Sequence, residues 1–380
     1  MNKNIFLEKG TEKECCGCSS CAYSCPTKAI EMREDTKGFI YPHIDNEKCI
    51  NCGKCKAVCP VLLGSGHKVD SLYAFQNSNE EDLKNSQSGG FFSAISDYVL
   101  DRKGVVYGAL FDEKFLVKYE RADTYEDRNL MRMSKYVQAK LDNKIYIRIH
   151  QDLEDGKLVL FSGTPCHVYA IKKAFENYDN LITLDFLCHG VTSPKVWEKY
   201  LNITRDDIGP FDKVVFRNPV YEKKGWHSEG FTKTDGSEYI SNRYAGLYYT
   251  HAAHREACFE CKFSSEERYS DITMAWFIDD NPLKESNKYP VSMAFINTEK
   301  GNEVFEKIKN NSKYQKVAVE THFKNQPTLY HPIGRPDYVD DFWNNFSSEN
   351  WLDSTVTESI IKKHHLGLFD CDKPRILKIL

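Results

Sequence analysis

The sequence predicts two units in one chain: a small, cysteine-rich α+β module, then a larger α/β domain with a mixed, partly parallel sheet. Three observations carry this. Nine of the fourteen cysteines fall between Cys15 and Cys59. From about Ser71 cysteine becomes sparse, and strand-like and helix-like runs alternate, as in α/β domains. At 380 residues the chain is too long for one small module and short for three full domains.

The first unit is read from spacing. Cys15, Cys18, Cys21 and Cys25 form C-x-x-C-x-x-C-x-x-x-C followed by Pro26, and Cys49, Cys52, Cys55 and Cys59 repeat it before Pro60. This duplicated string matches the bacterial ferredoxin run for 4Fe–4S clusters. Two-residue spacings let three thiolates wrap one corner of a cubane, while the fourth, displaced by three residues and a proline, reaches the other cluster. The expected ligand sets are Cys15, Cys18, Cys21 and Cys59 for one cluster, and Cys49, Cys52, Cys55 and Cys25 for the second. Paired C-x-x-C motifs also serve zinc, but a triple C-x-x-C-x-x-C closed by Cys-Pro suits tetrahedral sites poorly. Cys16 is spare and reads as a small residue packed beside a cluster. The module needs residues 8–63, and the Gly- and Ser-containing stretch that follows reads as a linker.

The second unit, 70–345, is read from its runs. Strands are expected at 104–111, 157–161, 181–187, 213–216 and 291–296. Helices are expected at 91–100 and 303–309, with a helix-like stretch from Cys166 to Phe175. The tail, 346–380, reads as a helix packed on its own domain.

Composition narrows the function. Charged residues are 28% and the net charge is -4, which argues against a nucleic-acid binder driven by bulk positive charge. Mean hydropathy is -0.56 and no apolar run reaches eighteen residues, so no membrane span is expected. No secretory signal is visible between Met1 and Gly10. Free thiols without such a signal suggest a reducing, cytoplasmic setting.

Two further groups of residues stand out. Cys166 and Cys188 each follow the carboxyl end of an expected strand, where open α/β sheets build ligand crevices. Cys258 and Cys261 form a separate C-x-x-C pair. Together they make four ligands, enough for a third 4Fe–4S cluster or a zinc, although buried single cysteines and redox pairs are alternatives. Ser86 to Gly90 precedes a helical pattern, a place where exposed N–H groups favour a phosphate. An ordinary N-cap explains it equally well. Ser134, Lys135, Tyr136 and Gln138 offer a hydroxyl, a cation, a ring and an amide within five residues, a set that suits a dinucleotide or any exposed loop.

These motifs occur in a telling order: Ser-x-Ser-Gly-Gly (Ser86 to Gly90), Ser-Lys-Tyr-x-Gln (Ser134 to Gln138), Gly-Thr-Pro-Cys (Gly163 to Cys166) and Cys-His-Gly (Cys188 to Gly190). Then come Phe216-Arg217, Gly225-Trp226, Cys258-x-x-Cys261 and Asp271-Ile-Thr273. The ordered set resembles the coenzyme F(420) hydrogenase/dehydrogenase beta-subunit family with a fused ferredoxin module, over residues 10 to 345. Two departures stand out. His167 follows Gly-Thr-Pro-Cys where the family usually has Gln. Met274-Ala275-Trp276-Phe277 replaces the family's usual Gly-Asp-Phe-Trp-like string.

The resemblance implies FAD on the α/β domain and a third cluster held by Cys166, Cys188, Cys258 and Cys261. It makes Ser88, Gly89, Gly90, Ser134, Lys135, Tyr136, Gln138, Gly163 and Thr164 the flavin-side candidates. The expected activity is that of an iron–sulfur flavoprotein oxidoreductase. Electrons would pass from a soluble donor such as ferredoxin through the clusters to FAD, and on to a small molecule, in the setting of glycan or nucleotide-sugar metabolism. Trp226, His227 and His167 are candidates for shaping the substrate site or moving protons. The alternatives are a reduced-deazaflavin dehydrogenase running electrons outward, and a non-catalytic electron-transfer subunit of a larger reductase. Assemblies are common in the family, so a homo-oligomer fits.

Overall fold

The computed structural model describes residues 13–62, 64–217, 228–277, 282–283, 289–319 and 326–347, and the backbone of 375–377. The first module holds an antiparallel hairpin, β1 (Ile30–Glu34) with β2 (Ile40–Ile44), and two four-residue helices, Ser20–Tyr23 and Lys54–Ala57. Its duplication is written in the backbone. Gly17 and Ser19 in the first string, and Asn51 and Gly53 at the matching places of the second, all take positive φ, between 52° and 77°. Left-handed residues at these steps fold the short spacings back on themselves, a conformation that glycine and asparagine tolerate best.

The large domain is built on strands β3 (Ser71–Asn77), β4 (Val105–Phe111), β5 (Val117–Ala122), β6 (Val159–Gly163), β7 (Leu181–Phe186), β8 (Phe211–Phe216), β9 (Glu229–Lys233), β10 (Glu238–Ser241), β11 (Ile272–Trp276), β12 (Ser292–Ile296) and β13 (Ser312–Val317). Eight of them make a mixed sheet in the order β13-β3-β12-β11-β7-β6-β4-β5. The pairs β4–β6, β6–β7 and β7–β11 are parallel, and the outer pairs are antiparallel. Central parallel strands are covered on both faces. On β6, Val159 and Phe161 join a core with Ile145, Tyr146 and Val168, while Leu160 joins one with Phe91, Ile95 and Phe305. Helix Asn143–Glu154 opens on Asp142, whose side chain accepts from the N–H groups of Lys144 and Ile145. Helix Pro165–Ala174 opens with proline at its first position, where the missing N–H costs nothing.

The expected strands and helices lie within or beside these elements, with ends moved by a few residues. Helix Glu299–Ile308 begins earlier than expected. A second sheet, β14-β10-β9-β8, was not foreseen. It has its own core around Trp197, Phe216, Phe231 and Tyr244. Its last strand, β14 (Arg375–Leu377), corrects the expectation of a wholly helical tail: these three residues pair with Tyr239 and its neighbours on β10. An edge strand with open N–H and C=O groups recruits extended chain, which outweighs a weak local helical preference.

Candidate functional site

The module encloses two cavities. One is lined by Cys15, Cys18, Cys21 and Cys59, with Met32 and Pro42. The other is lined by Cys25, Cys49, Cys52 and Cys55, with Ile30 and Ile44. Each gathers the three leading cysteines of one string and the last cysteine of the other.

A third cavity lies between the module and the large domain. Strands β6 and β7 are parallel neighbours, so their carboxyl ends sit side by side and deliver Cys166 and Cys188 to one place. Cys166 is the second residue of helix Pro165–Ala174, and Cys258 belongs to the short helix Glu256–Phe259. All of Cys166, Cys188, Cys258 and Cys261 line this cavity, together with Cys16. Cys16, Pro60 and Val61 line both this cavity and the one around Cys15. A single layer of residues therefore separates the two.

The size of the sites discriminates between metals. Four thiolates on one zinc, at about 2.3 Å, would stand about 3.8 Å from one another. Among the described residues the only three ligand atoms lying mutually within 4.8 Å are those of Cys16, Cys166 and His167. No four-cysteine set is therefore tight enough for one tetrahedral ion, and a larger multi-iron group fits the openings. The chemistry of the donors agrees. Burial pushes the Cys59 and Cys258 thiols up to about 12 and the Cys188 thiol well above its ordinary value. Four thiolates gathered in one cavity require a cationic core to offset them. The Cys16–Cys166–His167 group is not itself a metal site, because His167 has no lone pair free. Its Nε2 faces the Cys16 carbonyl, which can only accept, and its Nδ1 then accepts from the Tyr119 hydroxyl.

A seam of buried polar groups fastens the module to the large domain. Arg255 donates to the carbonyls of Cys15 (2.6 Å) and Ile40 (2.9 Å). The Gln138 amide donates to the Cys16 carbonyl at 2.8 Å, and Tyr146 donates its hydroxyl to the Cys18 carbonyl at 2.8 Å. Gly17 is required between them: its φ is +70°, and a Cβ there would come within 2.9 Å of Arg255 Nη1. His167, expected as a proton-transfer residue, belongs to this seam. Burial lowers its pKa to about 4, so it is a neutral ring with both nitrogens in use.

The flavin-side candidates divide. Ser88 and Gly89 bond to Ser292 of β12, the hydroxyls 2.8 Å apart and the Gly89 N–H at 2.9 Å. Gly90 is a left-handed helix cap (φ 72°). Lys135 Nζ is drawn to the carbonyls of Met131 and Arg132. Gly163 packs against the Tyr119 ring, and the Thr164 hydroxyl lies 3.5 Å from the Cys166 sulfur. Gln138 and Thr164 line the cysteine cavity, whereas Ser134 and Lys135 line a wide groove bordered by Arg132 and Phe216. The two serine motifs do meet, through a hydrogen bond from Ser134 to Gln87. Tyr136 stacks on Tyr248 (4.4 Å) and accepts from Arg217. Trp226 and His227 lie outside the described residues. Four of the nine candidates are thus divided between two openings.

Sequence reasoning passed over three features. Arg255 stands three residues before Cys258, a spacing that could have marked it. Arg217, which entered the sequence reading only within the Phe216-Arg217 motif, has a left-handed backbone (φ 48°) and a buried Nε with no hydrogen-bond partner among the described residues. Asp271, which entered the sequence reading only as part of a motif, is a latch. It accepts from the Thr183 N–H (2.9 Å) and hydroxyl (2.6 Å) and pairs with Lys172 (3.2 Å). Burial alone would raise its carboxyl, but Lys172 and Thr183 hold it below the usual range.

Comparison with known proteins fits this layout. Residues 156–322 match the model for the C-terminal part of the coenzyme F420 hydrogenase/dehydrogenase beta chain. Residues 14–62 and 41–114 match models for 4Fe-4S dicluster domains. One F(420)H(2) dehydrogenase subunit from Methanosarcina mazei is 23% identical over 228 residues, covering 56% of this chain and 65% of that protein. A polyferredoxin-like protein of Methanocaldococcus jannaschii is 43% identical over 59 residues, 13% of this chain and 35% of that one. The chain thus spans less than two thirds of either relative. One polypeptide of the F420-reducing (NiFe) hydrogenase complex from Methanosarcina barkeri superposes with a TM-score of 0.48 at 19% identity, covering 69% of this chain and 89% of that chain. Among the described residues no helix is long and apolar enough to cross a membrane.

Proposed function

We propose that this chain, whose residues 156–322 match the coenzyme F420 hydrogenase/dehydrogenase beta-subunit model and whose N-terminal end matches a 4Fe-4S dicluster model, conducts electrons along three cysteine-lined sites, between an exposed outer end and a flavin on the large domain. It is an iron–sulfur protein related to electron-transfer subunits. The finer reading assigns Cys25, Cys49, Cys52 and Cys55 to the outer site. It assigns Cys15, Cys18, Cys21 and Cys59 to the middle one, and Cys166, Cys188, Cys258 and Cys261 to the inner one. The observation that carries it is the shared wall of Cys16, Pro60 and Val61 between the middle and inner cavities. 4Fe–4S clusters supply one-electron transfer, and FAD converts single electrons to a hydride.

The chain's own residues do the rest. The cysteines fix where electrons stop. The seam of Arg255, Gln138, His167 and Tyr146 keeps the middle and inner sites at one distance. Tyr136 and Arg217 are the residues best placed toward a flavin or its anionic groups, because Arg217 Nε is a buried donor in need of an acceptor. A soluble donor such as ferredoxin feeds the outer end, and a small molecule, a glycan or nucleotide sugar on the resemblance alone, receives the hydride.

A second reading is favoured by the name of the Methanosarcina mazei relative, which belongs to a dehydrogenase of reduced F(420). In it, reduced deazaflavin delivers electrons and they leave through the outer end to a partner. The test is cofactor content after purification without oxygen. About twelve irons and one FAD per chain are expected. About eight irons would remove the inner site from the relay. Iron without flavin would leave only an electron-transfer subunit. Adding reduced deazaflavin to the oxidised protein then decides direction: bleaching of the cluster absorption supports outward flow, and its absence supports inward flow.

A further inference from the structure

Three arginines are fully buried in this fold: Arg128, Arg255 and Arg268. Two of them have carboxylate partners. Arg128 pairs with Asp97 at 2.7 Å, and Arg268 pairs with Asp185 at 3.0 Å. Arg255 has none among the described residues, although it is only 1% exposed. Its three donor contacts are all to neutral acceptors: the Cys15 and Ile40 carbonyls and the Gln138 amide oxygen (2.9 Å). Two rings also flank it, Tyr41 at 4.3 Å and Phe39 at 5.2 Å from the guanidinium.

A buried guanidinium cannot shed its charge, and burying it without an anion is costly. The cavity it lines carries the four cysteines of the inner set, Cys166, Cys188, Cys258 and Cys261, whose thiolates would supply that anion. It also holds the backbone carbonyl of Cys15, a residue of the middle set. Among the described residues it makes no hydrogen bond to the outer set and does not line its cavity.

We propose that Arg255 is the shared counter-cation of the middle and inner sites, a positioning residue that raises the reduction potentials of both and leaves the outer one unchanged. This rests on reading the three cysteine sets as cluster sites. The step concerned is addition of one electron from an external reductant to each cluster. It makes a group already negative, through its four thiolates, more negative by one charge. A fixed cation in a low-dielectric seam stabilises that added charge. Because the charge is buried, salt screens it little. One side chain then keeps two successive stations of the relay matched in potential.

The test uses the full chain, purified without oxygen, titrated potentiometrically with dithionite and followed by electron paramagnetic resonance. In Arg255→Gln, two of three midpoint potentials should fall together, the third should stay, and the pattern should persist at high salt. In Arg255→Lys, which keeps the charge but loses the fork to Cys15 and Ile40, all three should stay near their original values while thermal stability drops. Unmoved potentials in Arg255→Gln with full iron content would overturn the proposal, as would an equal fall of all three. If Arg255→Gln does not take up iron, Arg255→Lys decides alone: retained potentials support the proposal, and a fall in two of them overturns it. About eight irons in the unsubstituted protein would instead sink the underlying reading, and this inference with it.

Discussion

The two copies of the cysteine string have the same spacing and the same left-handed turns, yet they live in different surroundings. In the first, Cys18 and Cys21 are buried, and the Cys15–Cys18 carbonyls are gripped by the large domain. In the second, Cys52 is exposed, Ile50 is 64% exposed, and Lys54 and Lys56 face water. Spacing makes both copies fit to hold clusters. In the proposed relay, only the surroundings would make one an inner station and the other a terminal. Ligation is thus a local property and direction a tertiary one.

Removing the metal should break the comparison most completely. The module's own core is small, reduced to Cys21, Ala22 and Ile30 with a few half-buried neighbours. A unit that size depends on its metal. The large domain has extensive cores of its own. Chelation under denaturant-free conditions should therefore unfold residues 13–62 alone. Limited proteolysis checks this: cleavage confined to the module is expected, and cleavage spread through both units would show that the clusters hold the whole chain together.

The next effect separates the two copies. Cys18→Ser and Cys52→Ser should each lose about four irons per chain. In Cys52→Ser, the middle and inner sites should still be reduced by a small dye. In Cys18→Ser, an electron supplied at the outer end should no longer reach the large domain. Stopped-flow absorbance with a one-electron donor distinguishes the two. Equal behaviour would mean that the copies are interchangeable.

How much of this was legible beforehand follows the same division. The eight module cysteines were readable because each set is fixed by short spacings and one crossing. Cys166 and Cys188 were readable because carboxyl ends of parallel strands make crevices. Arg255, Gln138 and His167 were not read for what they do, since their partners are backbone carbonyls of Cys15 and Cys16, more than a hundred residues away. A carbonyl leaves no mark in sequence. Gln138 was grouped with a flavin because it lies near Tyr136 in the chain, yet in the fold it turns to the module. Gly89 was read as a phosphate cradle, but the backbone of β3 and Ser292 crowd its Cα, leaving room only for hydrogen. The second sheet escaped because its strands are short and joined through residues without a clear period.

A smaller effect probes the seam. Tyr146→Phe removes one buried hydrogen bond to Cys18 and leaves its carbonyl unsatisfied. It should cost about 1–3 kcal/mol, read by denaturant unfolding of the iron-loaded protein. A loss below about 0.5 kcal/mol would mean that the module is held by its metal and its other contacts alone.

The smallest change in stability belongs to the exposed end, and there the argument turns from stability to rate. Lys54 and Lys56 are solvated, and neither forms an ion pair with another described residue. Replacing both with Glu should leave stability within about 0.5 kcal/mol. If the outer site is the terminal, its surface charge steers donors, so an anionic one-electron donor should reduce the variant more slowly and a cationic one faster. Both differences should fade as ionic strength rises and the Debye length shrinks below about 10 Å. The same substitutions should leave reduction from the flavin side unchanged, because that route does not pass the lysines. A variant that responds to neither donor's charge would place the point of electron exchange elsewhere and undo the contrast between the two copies.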